Sequence, residues 1–142
     1  MTQIEAELKV VALKNAYNEL RKKITDEYII KIAEVERNHF EEEQRLNTAI
    51  GQLFRELAKA QDKEQKSELE IQLKEQRAEM QGRRILHLSN IALIRAEREN
   101  TICYEKHKMQ NAIAQVMAEV NERGDRYWKA MYDELKAQVH GA

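Results

Sequence analysis

The chain has 142 residues, 35% of them charged and 42% hydrophobic, with four glycines and no proline. Average usage would give about 7 prolines at this length, so a turn-rich fold is excluded and helix should far exceed the ordinary third of residues. With 24 basic and 25 acidic residues the net charge is −1, which leaves no strong field of either sign to steer nucleic acid or another charged partner.

The first predicted element is a helix over about 2–60. Its apolar side chains step by 11 through Leu13, Ile24, Val35, Leu46 and Leu57. Eleven residues make three turns at about 3.67 residues per turn, close to the natural helix, so the row stays on one face of a nearly straight rod. Tyr17, Leu20, Tyr28, Ile32, Ile50 and Phe54 fall three or four residues from the rungs, and with Ile4, Leu8 and Val11 they are expected to widen that stripe.

Large apolar residues then vanish over 58–68. Ser67 followed by Glu70 has the spacing of a capping box, which predicts a polar connector and a second arm over about 68–122. Its ladder is Leu69, Met80, Ile91, Ile102 and Ile113, with Gly124 at the next rung and Leu135 beyond. Both arms come to roughly 80–90 Å at the helical rise. Equal arms about a polar connector predict an antiparallel hairpin rather than one continuous helix. Asn121–Asp125, with Gly124 inside it, predicts a break, and a short amphipathic helix should follow over 124–142.

The expected fold is therefore all-α: a coiled-coil-like antiparallel helical hairpin over 1–123 with an 11-residue repeat, then a short C-terminal helix. One seam buries little on its own, so the chain is expected to self-associate through the ladder residues. Cys103 stands alone and no apolar run approaches a membrane span. With no basic-then-apolar leader at the start, a soluble, cytoplasmic protein is expected, or one within a particle assembled inside the cell.

Chemistry is sparsely signalled. Glu36 and His39 form a single Glu-x-x-His, a spacing that di-iron bundles use twice. In a hairpin turning near residue 64, His39 and His87 would lie at similar heights, which makes Glu36, His39 and His87 a weak metal candidate beside the simpler reading of a solvated helix surface. Cys103 and His107 are one turn apart but lack an oxyanion nest, because N–H groups inside a helix are already bonded. No enzyme activity and no cofactor are expected.

Arg77, Arg83, Arg84, Arg95 and Arg98 form a basic stretch, and Glu34, Glu36, Glu41, Glu42 and Glu43 an acidic one. Pairing between arms that fixes register is the expected use. A phosphate-binding stripe for nucleic acid is the alternative. Trp128, Met131, Tyr132 and Leu135 are the expected partner-contact residues, since aromatic side chains often dominate interfaces. The function these features suggest is structural: an assembly or adaptor protein acting through helical protein–protein contacts, such as a subunit of a virus particle or secretion apparatus.

Overall fold

The computed structural model describes residues 2–140; of residues 122–128 and 140 it describes the helical backbone alone. Helix α1 spans Gln3–Lys59 and helix α2 spans Lys63–His140. The two pack against each other as an antiparallel hairpin, and among the described residues there is no strand.

Local chemistry accounts for the ends. Thr2 and Glu5 form a reciprocal capping box: the Glu5 amide donates to Thr2 Oγ1 at 3.2 Å and the Thr2 amide donates to Glu5 Oε2 at 3.3 Å. This satisfies donors that the first helical turn leaves open. At the hairpin turn the Glu64 amide donates to Asp62 Oδ1 at 3.3 Å, so Asp62 caps α2. The Ala60 amide is shared between the carbonyls of Glu56 and Leu57 at 2.9 and 3.3 Å, which tightens the last turn of α1.

Two sequence expectations are corrected here. The connector is only residues 60–62, and Ser67 and Glu70 lie inside α2 rather than at its start. Asp62 is the earlier competent cap, and nothing between it and Ser67 resists helix. The break expected at Asn121–Asp125 is not an interruption of backbone: α2 is helical through to His140, and the amphipathic stretch expected beyond Gly124 is its last part. A glycine inside a helix costs about 1 kcal/mol relative to alanine, which a run of good helix formers absorbs.

The chain divides into two compact units, Thr25–Glu99 and Met1–Ile24 with Asn100–Ala142. In the first, the inward-turned positions of α1 are Tyr28, Ile32, Val35, His39, Glu43, Leu46, Ile50, Leu53 and Leu57. Those of α2 are Leu69, Leu73, Gln76, Met80, Arg83, His87, Ile91 and Ile94. The steps are fours and threes that total 11 per rung, which is the period expected of the ladders. Leu69, Leu73, Met80 and Ile91 are buried. In the second unit Ala6, Ile24 and Val116 are buried, and Leu13, Tyr17, Ile102, Met109 and Ile113 are half-buried.

Ile24, Leu69, Met80 and Ile91 of the ladders are buried within the chain, Leu13, Val35, Leu46, Leu57, Ile102 and Ile113 are half-buried, and Leu135 is exposed. The flanking stripe is narrower than expected. Tyr17, Tyr28, Ile32 and Ile50 turn toward the seam, but Ile4, Leu8 and Val11 are exposed, as are Leu20 and Phe54. One partner helix covers only one strip of a helix surface, so side chains at the stripe's margins stay in water.

Candidate functional site

The seam of the unit Thr25–Glu99 carries a polar inclusion halfway along the arms. His39 from α1 and His87 from α2 occupy equivalent places, each four residues after an inward position, Val35 and Arg83. Their rings stack with centroids 3.9 Å apart and planes at 7°. They line a groove of about 540 Å3 with Val35, Asn38, Glu42, Arg83, Leu86 and Asn90. Glu43 Oε2 lies 3.9 Å from His39 Nε2.

Arginines from α2 bridge this groove to α1. Arg83 Nη1 donates to Glu42 Oε2 at 2.6 Å, and its other nitrogens reach Glu79 Oε1 on its own helix at 3.2 and 3.3 Å. The hydrogen bond Arg83 donates to Glu42, then those it donates to Glu79, hold the guanidinium above its usual pKa. Arg84 donates to Glu43. Lys31 Nζ and Glu97 Oε2 make a third bridge between the arms at 3.5 Å.

These exposed pairs add little stability each. Their value is positional. A slip by one helical turn would part Arg83 from Glu42 and Arg84 from Glu43 together, and would unstack the two histidines. The acidic and basic stretches face each other as the pairing interpretation requires. Of the basic stretch, Arg83 and Arg84 bind carboxylates of α1, Arg98 bonds Glu99 at 3.3 Å, and the Arg77 guanidinium lies 5.0 Å from the centre of the Phe54 ring.

The histidines meet at the expected height, but Glu36 does not join them: it is not among the groove's lining residues. Among the described residues no group of three His, Cys, Asp or Glu side chains is placed to hold a metal ion. Imidazole lone pairs lie in the ring plane, and two nearly parallel planes 3.9 Å apart do not converge on one centre. The Glu36, His39 and His87 candidate is corrected accordingly. Cys103 is exposed.

The other candidate region is the end of α2. Lys129, Met131, Tyr132 and Leu135 line an open depression of about 480 Å3. Tyr132, Leu135 and Val139 are 66%, 56% and 74% exposed. The Trp128 side chain, expected to join them, lies outside the described residues. Sequence reasoning missed a third surface: Ile85, Leu86, Leu88 and Leu93 are exposed on α2. The available signal was four large apolar residues off the 11-residue ladder within nine positions.

No helix among the described residues is long and apolar enough to cross a membrane. Compared with known proteins, the chain matches no family model, no curated protein and no solved structure.

Proposed function

We propose that this chain is a non-enzymatic structural or adaptor protein that works through helical protein–protein contacts, with residues 129–139 of α2 as its partner-binding element. One observation carries this. Helix α2, at 78 residues, is 21 longer than α1 at 57. In the unit formed by residues 1–24 and 100–142, Leu13 and Tyr17 share a groove with Met109 and Ala112. At equal rise per residue in the two helices, α1 therefore ends near residue 122 of α2.

Residues 129–139 lie past that point as helix, and among the described residues no part of α1 lies beside them. This last part of α2 exposes Tyr132, Leu135 and Val139 in one row. An amphipathic helix that lays i, i+3 and i+7 anchors into a partner's groove is a recurrent recognition mode.

The test is a photo-crosslinking residue placed at Leu135 of the full chain in its native host, with a second at the exposed polar position Lys9 as control. A discrete protein adduct at 135 and none at 9 is expected. Absence of an adduct at 135, or equal labelling from both positions, would remove the proposal.

A further inference from the structure

The outward face of α2 in the unit Thr25–Glu99 has a pattern that the hairpin does not use. Between Arg84 and Arg95 there are ten residues without a charge, Ile85–Ile94, in a chain that is 35% charged. Only part of this stretch faces α1: Ile91 is buried, and His87 and Ile94 are half-buried. Ile85, Leu86, Leu88 and Leu93 are 65%, 60%, 68% and 66% exposed. A helix that is apolar on all sides belongs between partners on more than one side, and α1 supplies only one. The uncharged stretch 109–118 differs: Met109, Ala112 and Ile113 are half-buried and Val116 is buried.

The side chains along this face read Ala78, Gly82, Ile85, Ser89, Leu93 and Ala96, in steps of four, three, four, four and three. All are exposed. The row is nearly palindromic about Ser89: a large residue four positions away on each side, then a small one seven away. Two-fold association requires one patch to complement itself. An antiparallel second copy centred on Ser89 sets Ile85 against Leu93 of the other chain and Gly82 against its Ala96. The small residues allow close approach, and a Cβ added at Gly82 would meet nothing within 4 Å in the single chain.

The centre of this row is open to cover: Ile85 and Leu93 are 65% and 66% exposed, and they lie within the one strip of helix surface that a single partner helix covers. We infer that Ile85, Ser89 and Leu93 form the centre of an antiparallel α2–α2 interface between two copies of this chain. This self-contact is separate from the partner contact proposed for residues 129–139 of α2.

The experiment is light scattering and sedimentation equilibrium of the full chain from 1 to 200 µM, for wild type and for the variant Ile85→Glu with Leu93→Glu. A dimer is expected for wild type. The double variant should weaken association at least 100-fold while keeping helical circular dichroism and the low-concentration melting curve. A Ser89→Cys variant with Cys103→Ser should form a symmetric disulfide dimer on mild oxidation.

A wild-type monomer across the range, or a dimer that persists in the double variant, would overturn this interface. Either result leaves partner capture at the end of α2 to be judged by the crosslink at Leu135. Loss of that crosslink with the dimer intact would remove the adaptor role and not the dimer.

Discussion

His39 and His87 stack face to face across the two arms, 48 positions apart in sequence and 3.9 Å apart in space. Each takes a place that an apolar ladder residue would otherwise fill, beside Val35 and Leu86. Replacing both with leucine keeps the seam's period and exchanges two imidazoles for aliphatic side chains. The double variant His39→Leu with His87→Leu should be more stable by about 1–2 kcal/mol, read from the urea midpoint at fixed protein concentration. A lowered midpoint would show that the ring stack holds the arms better than apolar packing does.

The Arg83 bridge should respond to salt and not to ordinary pH. Hydrogen bonds to Glu42 and Glu79 hold the guanidinium pKa above its usual value. A raised folded-state value means the contribution is fully present below the unfolded value and is lost only as pH climbs through the folded one. The melting difference between wild type and Arg83→Met should therefore stay constant from pH 7 to 10. It should shrink on adding 1 M NaCl, because screening reaches about 3 Å at that ionic strength. A difference that salt leaves unchanged would assign the effect to packing of the arginine stem.

The cap of α2 separates two readings of the turn. Asp62→Ala removes the acceptor for the Glu64 amide and should cost about 0.5–2 kcal/mol. Ser67→Ala, at an exposed position inside the helix, should be neutral or slightly stabilising, since alanine is the better helix former. Chemical denaturation of the two variants side by side decides it, and the reverse order would return the helix start to Ser67.

What the sequence made legible follows the same division. An 11-residue period is a global signal repeated along each helix, so Ile24, Met80 and Ile91 could be assigned to a seam without a structure. The shared height of His39 and His87 followed from placing the turn near residue 64, midway between them. Local motifs carried less. Ser67 and Glu70 have the same spacing as Thr2 and Glu5, but only the second pair sits where a helix begins. Gly124 can end a helix or be absorbed by one, and the residue alone does not say which. Periodicity also gives the direction of an apolar face but not its covered width, so the exposure of Ile4, Leu8 and Val11 was hidden. The same blindness concealed the Ile85–Leu93 surface.

Two side chains two positions apart should report the width of the seam. Ile91 is 5% exposed and Leu93 is 66% exposed. Ile91→Ala should cost about 2–5 kcal/mol through lost burial and a residual cavity. Leu93→Ala should stay within about 0.5 kcal/mol when melting is followed at a concentration low enough to keep chains apart. Equal costs at the lowest concentration would mean that Leu93 is covered within the single chain.

Gly51 and Gly82 both lie inside helices, and a Cβ built on either meets nothing within 4 Å. Neither has the positive φ that would need glycine. Alanine at each should therefore stabilise the single chain by about 0.4–1 kcal/mol, chiefly by reducing the freedom of the unfolded state. The two sites differ once a second chain is present. Gly51 is on α1, away from the outward row of α2, so Gly51→Ala should raise the melting point equally at all concentrations. Gly82 is set against Ala96 of the second copy in the proposed dimer, where an added methyl group widens the approach of the two helices. For Gly82→Ala, the gain seen at 1 µM should diminish or reverse at 200 µM, and a gain that grows with concentration would place the contact between copies elsewhere.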